Sequence, residues 1–298
     1  MTGAEPLVEV WRGKFIESRH FGWAIAVRSD GERVFQIGEP PVLFARSSLK
    51  PIQAIPLVES GAMKRFDVSS EELALCCGSH GGEEVHQQGV RKLLSKIGLL
   101  EKHLLCGGDS PLAHNCSGKH AGMLALARHE GWSIEDYFLP GHPVQEAIRH
   151  AVRRFTGVEL LSEGVDGCGV PVWRLPLENL ARGFARMEGF EAGRAVVEAM
   201  GSHPYLVGGQ GKFDTTLMQA SMGRLISKGG GEGVHAGLIK GQGIGWAVKI
   251  LDGNRRAVPS VVLSLLERLG QRIPLDRLKR ETRFNHRGEA IGEIRSLL

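Results

Sequence analysis

Along the first forty-odd residues, apolar side chains fall into short runs, 21–27 and 34–37, separated by Ser29-Asp30-Gly31-Glu32. That pattern predicts strands joined by a hairpin, because Asp-Gly favours the tight turns that right-twisted strands need. From about Ser47 the period changes. Leu49, Ile52, Ile55 and Leu57 or Val58 keep near-helical spacing and stop before Gly61. Pro51 belongs in a first turn, so this helix is expected to begin near Ser47. Ser69-Ser70-Glu71-Glu72 reads as a capping box, and 83–97 as a helix ended by Gly98. Further helices are expected at 120–130, 143–155, 177–187 and 193–200. Strand character returns at 233–239 and 244–251, ending at the turn Asp252-Gly253-Asn254. A strong helix at 258–269 precedes a charged, less regular tail.

Strands, then helices, then strands and a helix predict an α+β fold rather than an alternating βαβ one. The expected architecture is an antiparallel sheet from the N- and C-terminal strands, flanked by helices, with a helical lobe inserted. In boundaries, 1–298 forms one catalytic domain, with roughly 62–200 as the helical lobe and 1–61 plus 201–298 as the sheet lobe. The cleft is expected between them.

Composition narrows the function. The 298 residues carry 37 basic and 33 acidic side chains, a net charge of +4, interleaved rather than in blocks. No basic stripe with interleaved aromatics supports nucleic-acid binding. No stretch approaches the roughly 20 apolar residues that a membrane-spanning helix needs. The first ten residues lack a basic segment followed by an apolar run, so no signal peptide is expected. Five irregularly spaced cysteines argue against a disulfide framework and for a reducing, cytoplasmic setting.

Reactive residues set among glycines at element ends point to an enzyme, since glycine lets backbone approach a ligand closely. Ser47 and Lys50 are three apart at a helix start and can share one face. A serine hydroxyl needs a base to become a nucleophile, and a neutral lysine can serve. The plain alternative is a helix-capping serine with a solvated lysine. Ser79 and His80 sit in the loop Gly78–Glu83, where a capping role is the plain reading. Alternation along 244–250 puts Lys249 on the face of Gly245 and Ala247, whose small side chains leave it room, although an outward-facing lysine reads as well. Cys116, Lys119 and His120 open another helix, and Cys168 lies in the tight turn Asp166-Gly167-Cys168-Gly169. Three readings compete there: a thiol nucleophile with His120 as base, a metal site using both cysteines with Lys119 or His120, and simple burial.

Together these motifs resemble the rhizobial-type L-asparaginases, the asparaginase II family. The matching stretches are Arg46-Ser47-Ser48-Leu49-Lys50-Pro51, Ser79-His80-Gly81-Gly82-Glu83-Glu84-Val85-His86 and Asn115-Cys116-Ser117-Gly118-Lys119-His120-Ala121-Gly122-Met123-Leu124. Asp166-Gly167-Cys168-Gly169-Val170-Pro171, His203-Pro204 through Gly208 to Asp214-Thr215, and Ala247-Val248-Lys249-Ile250-Leu251-Asp252-Gly253 follow in order. The resemblance implies a fold like the serine β-lactamases and glutaminases, and hydrolysis of L-asparagine to aspartate and ammonia. It implies one serine–lysine pair of Ser47 with Lys50, and a second of Ser79 with Lys249, Lys240 being the alternative lysine. It implies zinc held by Cys116, Lys119 and Cys168, with His80, His120 and Asp166 around the substrate. A small-molecule substrate and a homodimer are the expected partners. The rival readings are another serine–lysine acyl hydrolase, acting on glutamine, a peptide or a β-lactam, and a non-catalytic zinc-binding module.

Overall fold

The computed structural model describes residues 3–159 and 162–298. Four strands come first: β1 (Glu5–Arg12), β2 (Phe15–Arg28), β3 (Arg33–Ile37) and β4 (Val42–Phe44). A 3-10 turn, Arg46–Leu49, leads into three short helices, α1 (Lys50–Gln53), α2 (Ile55–Glu59) and α3 (Ala62–Arg65). The continuous helix expected from Ser47 is thus broken into pieces. Pro51 and Pro56 each open a new segment, because proline cannot donate the backbone bond that a continuing helix requires.

Longer helices follow: α4 (Ser70–Cys76), α5 (Glu84–Lys96), α6 (Ser117–Glu130) and α7 (Pro143–Thr156). The capping box at the start of α4 forms as expected: Glu72 N donates to Ser69 Oγ at 3.3 Å and Ser69 N to Glu72 Oε2 at 2.7 Å. Then come β5 (Ser162–Val165), β6 (Pro171–Pro176), α8 (Leu177–Ala185), α9 (Glu191–Ser202), α10 (Pro204–Val207) and α11 (Phe213–Ala220). The chain closes with β7 (Leu225–Gly229), β8 (Val234–Ile239), β9 (Ile244–Ile250), α12 (Val258–Arg268), α13 (Asp276–Lys279), β10 (Arg280–Phe284) and β11 (Ala290–Ser296).

The main sheet is antiparallel in the order β10-β11-β1-β2-β9-β8-β7, with β3 also paired to β2. The α+β arrangement of strands from both ends around a helical insertion is therefore present. The charged tail, expected to be irregular, instead supplies β10 and β11, and β11 pairs with β1. A small second sheet runs β4-β6-β5.

Alternation along β2 builds two cores. Trp23, Ile25 and Val27 face the helical lobe, whereas Ala24 and Ala26 face the layer containing Val261 and Leu265 of α12. Helix α8 lies directly on β9: a Cβ at Gly245 would stand 1.9 Å from Ala181 O, so only glycine permits this approach. Gly118 does the same for α6 on α4, where a Cβ would meet Leu75 O at 2.3 Å. Among the described residues, no helix is long and apolar enough to cross a membrane. All five cysteines are free and buried.

Candidate active site

Ser79 sits where the helical lobe meets the sheet. Its loop is strapped in place by two backbone bonds, Ser79 N to Val207 O at 2.9 Å and Gly81 N to Gly208 O at 2.8 Å. Two buried lysines converge on its hydroxyl. Lys50 Nζ donates to Ser79 Oγ at 3.0 Å and also to Gly78 O at 2.6 Å and Asn115 O at 3.2 Å. Lys228 Nζ donates to Ser79 Oγ at 2.9 Å and to Gly229 O at 2.7 Å. Both lysines are 0% exposed. Burial, reinforced by the Lys50 charge, pushes the Lys228 amine down to about 8, with Asp214 pulling the other way.

Lys228, not Lys249, is the second lysine at Ser79. Lys249 does lie on the face that alternation indicated, but its amine donates to Ile250 O at 2.7 Å and to Glu232 O. Its strand is two places away: β9 pairs with β8, and β8 with β7, which carries Lys228. Two inter-strand spacings amount to about 9–10 Å, beyond the hydrogen-bond contact that Lys228 makes. Lys240, the alternative, pairs with Glu198 at 2.9 Å. The segment Ser227-Lys228-Gly229-Gly230 carried a usable signal. A lysine followed by glycines on a strand is reminiscent of the Lys-Thr-Gly element that accompanies Ser-x-x-Lys in serine acyl hydrolases.

Ser47 lines the same cavity of about 490 Å³ as Ser79, Cys116, Asp166 and Cys168. Among the described hydrogen bonds none joins Ser47 to Lys50, whose amine turns to Ser79 instead. Ser48, next along the chain, is fully buried and donates to Ala45 O at 2.6 Å. Arg46, which precedes the nucleophile candidate, adopts φ +54°, a left-handed conformation costly for a side chain of its size. Its guanidinium is anchored by Asp166 Oδ1 at 2.9 Å. The hairpin between β5 and β6 delivers Asp166: its N–H bonds Val170 O at 2.9 Å, and Gly169 takes the positive φ that closes the turn.

His80 and His120 do not line the cavity. His80 Nδ1 accepts from Gly82 N at 3.2 Å, its Nε2 meets Ser117 Oγ at 3.2 Å, and its ring stacks on His86. Burial, with His86 and Lys50 nearby, pushes it down to about 3, so it stays neutral and ties the Ser79 loop to α6. His120 is buried against the Tyr137 hydroxyl at 2.7 Å, and burial again favours its neutral form. The cavity is lined instead by His114 and Asn115.

Cys116, Lys119 and Cys168 do come together. Lys119 Nζ donates to Cys168 Sγ at 3.0 Å. A hydrogen bond from Cys168 lowers the Cys116 thiol against the opposing cost of burial, and the same shared proton raises Cys168. Burial would lower Lys119, but the two sulfurs outweigh it and its affinity for a proton rises. Among the described residues, no group of three or more His, Cys, Asp or Glu side chains is placed to hold a metal ion. Two sulfurs beside a nitrogen form an S₂N set that is chemically suited to a soft divalent ion.

The profile of the family described as L-asparaginase II matches residues 8–296, and the chain belongs to that family. It is thereby an L-asparaginase-like amidohydrolase. No curated protein sequence matches the chain. Among solved structures it is similar to a "putative beta-lactamase" from Bacteroides dorei DSM 17855, at 12% identity and TM-score 0.43, covering 83% of this chain and 93% of that one. It is also similar to a beta-lactamase from Mycobacterium bovis, at 13% identity and TM-score 0.39, covering 83% and 94%.

Proposed function

We propose that the protein hydrolyses L-asparagine to L-aspartate and ammonia through a serine–lysine mechanism in a cytoplasmic setting. The observation that carries this reading is the Lys50–Ser79–Lys228 contact at the wall of the cavity that Ser47 lines. The two buried amines share one hydroxyl, and burial with the Lys50 charge brings Lys228 down to about 8, so Lys228 is the amine within reach of its neutral form.

Ser47 attacks the side-chain amide carbon, and its proton passes into the Lys50–Ser79–Lys228 relay, in which Lys228 acts as the base. Collapse of the tetrahedral intermediate breaks the C–N bond, and Ser79 relays a proton from the lysine pair to the departing ammonia. Water then attacks the acyl-enzyme, gives its proton back through the same relay and releases aspartate. Asp166 and Arg46, of opposite charge at the cavity wall, complement the α-ammonium and α-carboxylate of a free amino acid.

Cys116, Cys168 and Lys119 are the residues that would hold zinc. When bound, the ion supplies a positive charge at the cavity wall that orients an anionic or carbonyl oxygen. Ammonia release from a panel of free amino-acid amides, peptide amides and a β-lactam tests the substrate class. Asparagine is expected to lead, and Ser47→Ala to release no ammonia and form no adduct with an acylating inhibitor. Wild-type turnover by Ser47→Ala would overturn the assignment.

A further inference from the structure

A second polar cluster flanks Lys228 on β7, with Asp214 and His235 lining the same cavity as Ser47 and Ser79, and the mechanism so far leaves it without a task. Asp214, near the start of α11, is largely buried at the cavity wall. Its Oδ1 accepts from Ser227 Oγ at 2.8 Å, and both its oxygens accept from Gly229 N at 3.0 Å. His235 on β8 completes the clamp: its Nε2 stands 3.0 Å from Asp214 Oδ1 and 2.8 Å from Ser227 Oγ. The His235 ring is itself fixed, stacked on Trp246 and edge-on to Phe213. Ser227 and Gly229 are the neighbours of Lys228 on either side, so the carboxylate grips the strand at the two residues flanking the lysine. Its other oxygen stands 3.9 Å from Lys228 Nζ.

We propose that Asp214 is a positioning residue for Lys228: through Ser227, Gly229 and His235 it fixes the register of the amine on Ser79, and its charge is the counter-charge against which that amine exchanges its proton. This inference rests on the serine–lysine reading above. Burial alone would raise the Asp214 carboxyl, but His235, Lys228 and the Gly229 N–H outweigh it and hold the group ionised well below the usual range. The other groups around Lys228 are Lys50 across Ser79, Cys77 at the end of α4, Cys116 at the start of α6 and His235 on β8. Of the remaining charges near β7, Arg46 is paired with Asp166, and Glu198 on α9 with Lys240. Asp214 is thus the carboxylate left to face the amine.

The test follows the Lys228 amine directly, by carbon-13 and nitrogen-15 NMR of lysine-labelled protein, with the signal assigned through Lys228→Arg. Ammonia-release rates are measured in parallel across the same pH range. In Asp214→Asn the Lys228 midpoint is expected to fall by about one unit or more, because a neighbouring anion that favoured the ammonium has gone. The rising limb of the rate should move with it, while kcat drops about tenfold or more and KM changes little. Asp214→Glu restores the charge on a longer stem, so the midpoint should return toward the wild-type value while kcat stays low. A midpoint unmoved in Asp214→Asn, or moved upward, overturns the proposal. Should Asp214→Asn fail to fold, Asp214→Glu and Ser227→Ala carry the test. Both keep the charge, so lowered kcat at an unchanged midpoint supports the proposal, and wild-type kcat in both refutes it. The NMR titration reads the amine whether or not asparagine is the substrate. Failure of the hydrolytic reading is therefore distinguishable from failure of this one.

Discussion

Replacing Lys228 with arginine puts the mechanism to its sharpest test. The amine is fully buried, and burial with the Lys50 charge brings it down to about 8. Below that pH it is protonated and useless as a base; above it, it is neutral and competent. With a midpoint of about 8, about one amine in eleven is neutral at pH 7 and about ten in eleven at pH 9, so the rate should rise about tenfold and then level off. A solvated lysine, titrating at about 10.4, would give about a hundredfold rise over the same interval with no plateau by pH 9. His80 stays neutral throughout, being pushed down to about 3, so it contributes no limb in this window. Lys228→Arg keeps the positive charge but cannot release its proton, and both the limb and most of the activity should vanish. The assay is initial ammonia release at saturating and limiting asparagine from pH 6 to 10, with Lys50→Arg alongside. A wild-type profile flat across pH 7 to 9, or an arginine variant that keeps the limb, would refute the base assignment.

Three further outcomes are expected. Protein purified without added metal should contain about one zinc per chain by elemental analysis, lost in the Cys116→Ser, Cys168→Ser double variant; unchanged zinc there would remove these ligands from consideration. Asp166→Asn should raise KM for asparagine about tenfold to a hundredfold with a smaller change in kcat, measured by steady-state kinetics, because Arg46 loses its anchor and the cavity its anion. Gly245→Ala should destabilise the fold by about 3 kcal/mol or more, since the added methyl would meet the Ala181 carbonyl and the Ala185 N–H of α8. Denaturant unfolding checks this, and a loss below about 1 kcal/mol would mean α8 shifts freely on the sheet.

What the chain reveals before folding depends on how local each signal is. The Ser69–Glu72 capping box and the Gly98 stop are read correctly because their partners lie within a few residues. Strand β10 escaped notice because it is an exposed edge strand, Arg-Glu-Thr-Arg-Phe, and β11 because its two isoleucines, Ile291 and Ile294, are three apart and so off the strand period. Strand β7 escaped for the opposite reason: it is five residues long and buried on both faces, so alternation does not mark it. Lys228 was lost with it. The approach of Cys168 to Lys119 joins an α6 residue to a distant hairpin, and spacing alone left burial, metal binding and thiol chemistry open; the family resemblance singled out the metal reading.

The pairing of β2 with β9 governs how the molecule comes into being. Residues Gly22 to Arg28 emerge early in synthesis, yet their partner on that edge is Ile244 to Ile250, near the other end of the chain. Until then β2 presents an unpaired edge of apolar residues. Ser47, Lys50 and Ser79 wait likewise for Lys228, which arrives on the outermost strand beyond β9. Such long-range pairing makes for slow folding and a vulnerable nascent chain. It also means that a product truncated before β7 holds both serines and one lysine but never the opposed pair of amines. A fragment that stops before Lys228 therefore lacks the second amine of the site, whatever else of the sheet it has built.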